Sequence, residues 1–404
     1  MIPAVIIFAA TYVVMAIGRL PGYRLDRAGA ALLGASLMVA FGVLDLGQAF
    51  AAIDMATITL LFGMMIVVAN LRLSGFFRLV TAWAIARAGH PLVLLGAVVA
   101  VTGVLSAFLV NDAICIVMAP LVLDLVVRLK RDPVPYLLAV AMASNAGSVA
   151  TITGNPQNMI IGSLSKVPYG TFAATLSPVA LFALLCAFLL IAVSHPAEFL
   201  RGGRLQAADA GEVHYHRPLV LKSLAVLAAM IVLFFAGLPV AEVAILGGAI
   251  LLVTRRINPK KIYLDIDWPL LVMFAGLFIV VDGLEKAVLD PQTIAAIGRI
   301  DLNSAPVLAV VTAALANLVS NVPAVLVLKP FVAALVDPQK AWLVVAMAAT
   351  LAGNFTLVGS VANLIVVEKA KGRGVAIGFW HYFRVGAPLT AITIGAGILW
   401  LSGL

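Results

Sequence analysis

The chain has 404 residues, of which 63 % are hydrophobic and 11 % charged, whereas a soluble domain carries roughly 25 % charged residues. That balance excludes a water-soluble enzyme or nucleic-acid module as the main body and makes lipid the principal solvent. The formal charge of +8 does not restore a nucleic-acid partner, because the basic residues fall in short loops between apolar runs instead of on one amphipathic surface.

The first apolar run, about residues 2–18, lacks the charged start of a secretory signal and is followed by further apolar runs, so it reads as the first permanent helix. Runs over about 28–45, 55–71, 91–110, 112–127, 136–164 and 175–194 complete a first set. Each approaches the roughly 20 apolar residues that carry a helix across a bilayer. A polar, glycine-containing stretch, LRGGRLQAADAGEVHYHRP, then marks a linker at 201–217. Its His214-Tyr215-His216 is an isolated His-x-His and reads as linker, not as a metal site. A second set follows at about 219–237, 241–254, 268–284, 304–320, 321–336, 341–367 and 387–402. Cys115 and Cys186 both lie in apolar segments and form no disulfide framework.

The two sets, 1–200 and 218–404, repeat each other. AALLGASLMV matches VAILGGAILLV with Gly34 over Gly247, and IDMATITLLFGMMIVV lies over IDWPLLVMFAGLFIVV at the same spacing of 213 residues. VNDAICIVMAPLV pairs with SNVPAVLVLKPFV, placing Asn111 over Asn321, and TITGNPQNMII pairs with TLVGSVANLIV, placing Gly154 over Gly359 and Asn158 over Asn363. Polar residues in register make chance alignment of apolar runs a poor explanation.

Charge then sets the path. If the segments at 91–127 and 304–336 enter the membrane, turn near Asn111 or Asn321 and return, ten segments cross, and 21 of the basic residues fall in loops on one side, the cytoplasmic one. The other side holds Lys166, Lys286, Arg299 and Lys340, with Lys329 inside the second hairpin. The same count results if each hairpin crosses fully, so charge reports sidedness and not depth. Five crossings separate the hairpins, which therefore open to opposite faces, the first toward the cytoplasm and the second outward. The expected fold is an all-α polytopic membrane protein of two inverted repeats, with about ten spanning helices and two re-entrant hairpins.

Four matched places break the helices: Asn111-Asp112, Thr151 to Asn158, Ser320 to Pro323, and Thr356 to Asn363. Broken helices at membrane depth are tolerated only within protein or beside a wet cavity, and their freed amides and carbonyls can coordinate ions or solute. The asparagine at each hairpin tip is placed to cap a helix start, where the dipole leaves about half a positive charge. The alternative is that all four are caps and packing kinks. Asp112 has no acidic counterpart at Val322; a carboxylate near the bilayer centre costs about 3 kcal/mol on insertion scales. It is either the group that loads and releases a coupling proton or a helix-capping aspartate of fixed charge. Lys329 reads as a lysine that snorkels to the interface in preference to a counter-charge. Asp282 and Glu285 read as a solvated span end, and Trp268, Trp380 and Tyr382 as interfacial anchors.

SNAGSVATITGNPQNMIIG (Ser144 to Gly162) and GNFTLVGSVANLIVVEKA (Gly353 to Ala370) resemble the ion transporter superfamily, which includes arsenite permeases, sodium/proton antiporters of the NhaD type and divalent-anion/sodium symporters. With FLVNDAICIVMAPLVL and SNVPAVLVL, the similarity is greatest to arsenite permeases and plant low-silicon silicic acid efflux transporters. The resemblance implies a scaffold, a moving domain with two re-entrant hairpins, elevator-type alternating access and a homodimer. It implies a solute or ion site from Asn111, Asp112, Thr151, Gly154, Asn155 and Asn158 with Ser320, Asn321, Thr356, Gly359, Ser360 and Asn363. Symporters of the superfamily carry Ser-Asn-Thr at both tips; Val110-Asn111-Asp112 and Ser320-Asn321-Val322 depart from it, which argues against sodium and dicarboxylate binding.

The expected function is proton-coupled efflux of a small metalloid or oxyanion of the arsenite or silicic acid type. The alternative is a sodium- or proton-coupled carboxylate or inorganic anion transporter, and a sodium/proton antiporter ranks third. An intramembrane hydrolase has no support, since no HExxH motif occurs and all five histidines lie in or beside polar loops. No cofactor or metal is expected. The expected setting is multi-pass, in a plasma or bacterial inner membrane.

Overall fold

The computed structural model describes residues 2–18, 22–87, 89–199, 215–254, 256–288 and 301–403. Most of the expected linker, including His214, and Arg19, Arg255 and Arg299 lie outside them. Among the described residues the chain forms twenty α-helices and one 3-10 turn. The first half runs α1 (Ile2–Ile17), α2 (Arg27–Ala40), α3 (Leu46–Ala52), α4 (Met55–Ser74), α5 (Phe76–Arg87), α6 (Pro91–Phe108), α7 (Asn111–Arg128) and α8 (Pro133–Ser148). The turn Ile152–Gly154, α9 (Pro156–Ser165), α10 (Tyr169–Ser194) and α11 (Pro196–Phe199) complete it. The second half runs α12 (Arg217–Phe235), α13 (Val240–Leu252), α14 (Pro259–Leu264), α15 (Trp268–Val288), α16 (Ala305–Val319), α17 (Asn321–Ala333), α18 (Pro338–Ala352), α19 (Val361–Lys371) and α20 (Phe379–Ser402).

Local chemistry explains the boundaries. Pro91, Pro133, Pro156, Pro259 and Pro338 each open a helix, where the missing N–H costs nothing. Asp26, Asp45, Asp54, Asp132 and Asp337 cap helix starts by accepting from first-turn amides. The capping box of Asp45 and Gln48 ends the expected 28–45 run early and starts a separate short helix. Among the described residues five helices, α4, α6, α10, α12 and α20, are individually long and apolar enough to cross a bilayer. One of them, α6, pairs with α7 in a helical hairpin.

The helices pack as two groups. In one, α4 lies along α13 and α2 along α15, flanked by α1 and α12; in the other, hairpins α6–α7 and α16–α17 pack with α8, α18, α10 and α20. Repeat symmetry is visible atom by atom in the first group. A Cβ on Gly63 would stand 2.5 Å from the carbonyl carbon of Ala244, and a Cβ on Gly276 2.6 Å from that of Ala31. Gly276 is the repeat partner of Gly63 and Ala244 that of Ala31, so these two close helix crossings are one contact made twice, as small-residue packing in membranes favours.

Three charged or aromatic side chains differ from expectation. Lys329 does not snorkel: its Nζ donates to Glu285 Oε2 at 3.0 Å, a pairing across α15 and α17 that the sequence spacing does not show. Asp282 pairs with Lys286 at 2.8 Å. Tyr382 is 1 % exposed and belongs to the core, whereas Trp268 and Trp380 are exposed at 50 % and 68 %.

At the end carrying the basic loops, the two halves meet through His195 and His381, whose Nε2 atoms lie 2.8 Å apart. Burial lowers the His195 pKa below its ordinary value; the Ile191 carbonyl opposes this, His381 adds to it, and Asp132 and Glu198 oppose it.

Gly63→Ala and Gly276→Ala are each expected to destabilise by about 1–3 kcal/mol, because a backbone must yield to the new methyl. Gly395→Ala, with open space around it, is the control that leaves the detergent unfolding midpoint unchanged. For His195 the unfolded chain takes a proton near pH 6.5 and the folded chain only at lower pH. Between those values the unfolded state holds more protons, so stability is complete above about pH 6.5 and declines as pH falls through that window. His195→Gln is expected to flatten this dependence in melting curves recorded across that range.

Candidate functional site

Both broken helices end against each other. In the first half the freed carbonyls of Ser148 and Thr151 accept from Asn158 Nδ2, each at 3.0 Å. In the second half the carbonyls of Gly353 and Thr356 accept from Asn363 Nδ2 at 2.7 and 3.1 Å. These are repeat-equivalent atoms. Gly154 and Gly359 sit inside the breaks, where a Cβ on Gly154 would collide with the Ser148 backbone and one on Gly359 would stand 2.9 Å from Asn317 Oδ1.

Each break is also held by the opposite repeat. Asn145 Nδ2 donates to Asn354 Oδ1 at 3.0 Å and Asn363 Oδ1 at 3.1 Å, while its Oδ1 accepts from Asn111 Nδ2 at 3.1 Å and Ser360 Oγ at 3.2 Å. Two donors and two acceptor sites are the whole capacity of a carboxamide, and all four are in use. Thr350, the repeat partner of Asn145, does the same with a hydroxyl. It accepts from Asn155 Nδ2 and Gln157 Nε2, each at 3.2 Å, and donates to Asn158 Oδ1 at 3.4 Å. Thr151 donates to the Ala107 carbonyl, and Thr356 to Asn317 Oδ1 at the equivalent place.

In front of this network lies a cavity of about 580 Å³. Of the residues expected at the site, Asn111, Asp112, Ser320, Asn321 and Ser360 line it. Thr151, Gly154, Asn155, Asn158, Thr356, Gly359 and Asn363 are not among its lining residues; they form the hydrogen-bonded wall behind it. The freed carbonyls expected to meet solute are engaged by the wall's own amides.

The tips also differ from expectation. Asn111 and Asn321 are the first residues of their helices, and the residues ahead of them, Val110 and Ser320, make no side-chain cap bond. Both asparagines are buried, yet the Oδ1 of each has no hydrogen-bond partner among the described residues. Two equivalent acceptor oxygens at the cavity wall are thus unsatisfied, at a cost of about 1–3 kcal/mol each. Ser320 has φ +82° and ψ 159°, a region that costs a non-glycine residue about 1–3 kcal/mol. Asp112 stands in the first turn of α7, and among the described residues no hydrogen bond or ion pair engages its carboxyl. It also borders a smaller cavity of about 60 Å³ that runs past Asp267 to the Arg72–Asp265 ion pair.

Several participants carried no sequence assignment. Asn145 and Asn354 lie in the motif strings but match no polar repeat partner of their own kind; a buried asparagine facing Thr350 across the repeat is the signal that was available. Asp26, Arg27 and Asp267, toward the basic-loop end of the cavity, come from loops and helix starts that sequence periodicity leaves unpaired.

Comparison with known proteins places this architecture. Residues 12–352 match the family described as CitMHS, citrate transporter. The chain is 33 % identical to the "uncharacterized transporter Rv2684" of Mycobacterium tuberculosis, covering 98 % of this chain and 97 % of that protein. It is 30 % identical to the silicon efflux transporter LSI3 of Oryza sativa subsp. japonica, covering 94 % and 93 %. Its fold is similar to that of the YdaH transporter of Alcanivorax borkumensis, with a TM-score of 0.63 at 15 % identity over 99 % of this chain and 96 % of that one. A multi-pass membrane transporter, not an enzyme, accounts for all of these.

Asn145→Ala is expected to lower stability by about 2–4 kcal/mol by stranding four buried partners. Asn70→Ala, which loses only a bond to Ile66 of its own helix, should cost clearly less in the same detergent unfolding assay.

Proposed function

Because the chain belongs to the CitMHS citrate-transporter family of the ion transporter superfamily, and so is a secondary transporter, we propose that it exports a small, uncharged hydroxy acid of a metalloid, of the arsenous or silicic acid type, in exchange for protons. The observation that carries this reading is the charge balance of the cavity. Among the described residues three carboxyls, Asp26, Asp112 and Asp267, line it against a single cation, Arg27. A multiply charged carboxylate would meet net repulsion there. A neutral polyhydroxy acid instead brings O–H donors to the unpartnered oxygens of Asn111 and Asn321, relieving the cost of leaving them unmet. The silicon efflux activity named for a relative covered over 93 % of its length supports the same class.

In this scheme the cavity reaches the basic-loop, cytoplasmic end, and solute binds there while the Asp112 carboxylate accepts from one of its hydroxyls. Elevator-type movement of the hairpin group then exposes the site outward. Proton binding at Asp112 turns one of its oxygens into a donor and weakens the other as an acceptor, releases the solute, and neutralises the carboxylate for the return through hydrocarbon, where a charge is costly. The twelve polar and glycine positions divide into tips that touch solute and a wall that holds the tips in place. A homodimer through lipid-facing helices completes the proposal.

Carboxylate uptake is the second reading, favoured by the family description and by Arg27 on the cavity wall. The deciding experiment is proton-gradient-driven flux of arsenite and silicic acid in proteoliposomes, comparing the intact protein with Asp112→Asn. Gradient-driven flux in the intact protein is expected to fall to background in the variant, while solute counterflow without a gradient persists. An intact protein that moves neither solute but accumulates a carboxylate with sodium would replace this reading with the second.

A further inference from the structure

A separate pit of about 380 Å³ lies where α4 and α5 meet α7 and the end of α19. Arg72, Arg78, Lys369 and Arg373 line it, with Phe77 and Pro120 among its apolar walls. Two of the cations have partners: Arg72 pairs with Asp265 and Arg373 with Asp124. Among the described residues no ion pair or hydrogen bond engages Arg78 or Lys369, so two positive charges remain uncompensated.

Helix dipoles account for part of this arrangement and not the rest. Arg72 and Lys369 occupy the last turns of α4 and α19, where a cation is favoured. Arg78 is different. It is the third residue of α5 (Phe76–Arg87), at a helix start whose partial positive charge and free amides disfavour a cation and favour an anion. Gly75, at φ +86°, makes the left-handed turn that swings α5 away from α4 and presents this helix start beside the pit. A guanidinium, an ammonium, two paired arginines and a helix N-terminus therefore converge on one open volume, and among the described residues no acid lines it to balance Arg78 and Lys369.

We propose that this pit binds a phosphate group, held by Arg78 and Lys369 and flanked by Arg72 and Arg373. Planar guanidinium forks match phosphate oxygens, a phosphate monoester carries about −1.5 to −2 at neutral pH, and two uncompensated cations balance it. The phosphate belongs either to the headgroup of an acidic lipid or to a soluble anion; basic pockets between helices at a membrane surface suit the former. The site joins α4, which lies along α13, to the hairpin arm α7, so its occupant ties the two helix groups together in the arrangement described here. This inference is independent of which solute is carried.

The test uses the purified full chain and its thermal unfolding midpoint in detergent, with phosphatidylcholine, phosphatidic acid or inorganic phosphate added. A saturable rise of a few degrees with phosphatidic acid and not with phosphate identifies a lipid headgroup; a rise with phosphate alone identifies a soluble anion; either supports the site. Arg78→Gln with Lys369→Gln should abolish the rise, whereas Lys260→Gln with Lys261→Gln, elsewhere among the basic loops, should keep it. Equal loss in both double variants would reduce the effect to general surface charge and overturn the proposal, as would no rise in the intact protein. Calorimetric titration of the intact protein, expected to give one saturable site per chain, decides the matter even if the double variant fails to fold.

Discussion

A helix interrupted inside hydrocarbon leaves amides and carbonyls that no water can satisfy, and each unmet group costs several kcal/mol. The rest of this structure is arranged around meeting that demand twice. Asn158 and Asn363 bind the carbonyls released by their own breaks, and Asn145 and Thr350 reach across to hold the break in the opposite half. Because each break is completed by the other repeat, neither half is self-sufficient. The two-fold relation is a hydrogen-bonding requirement as much as a pattern in the chain.

The same economy explains where the cavity is and what it can do. Wall polar groups are saturated, so they contribute rigidity and shape. The tips are unsaturated, so they keep free acceptor oxygens at the cavity surface. Asn111 belongs to both: its amide is held by Asn145 while its oxygen has no partner. That division positions an acceptor rigidly at the cavity surface, which lowers the ordering cost of binding.

The chemical differences between the two halves concentrate where the repeat symmetry fails. Asp112 faces Val322 across the pseudo-two-fold, and Ser320 takes up a strained backbone where Val110 does not. A strictly symmetric site would present the same chemistry to both faces. One carboxyl on one tip breaks that equivalence. The helix pairings of the other group, with Gly63 on Ala244 and Gly276 on Ala31, keep their symmetry, as suits a frame that only has to hold its shape.

The sequence by itself determined the membrane setting, the repeat, the positions of the breaks and the singular acid at Asp112, but not the helix count, since seven apolar runs in each half became eleven and nine helices among the described residues. These follow from composition, period and local backbone chemistry, and Pro156, Gly154 and the paired asparagines act on the residues beside them. Tertiary structure alone decided which polar residues line the cavity. Thr151, Asn155 and Asn158 look equivalent to Asn111 as sequence, and only the crossing of the two breaks assigns the former to the wall and the latter to the cavity. It alone paired Lys329 with Glu285 and buried Tyr382, since both depend on which helix faces come together. It alone gathered Arg72, Arg78, Lys369 and Arg373, almost 300 residues apart in the chain, around one pit. The physical reason is that a hydrogen bond or ion pair is set by distance in space, and in an all-helical membrane protein the apolar pattern fixes that a helix is buried without fixing its neighbour.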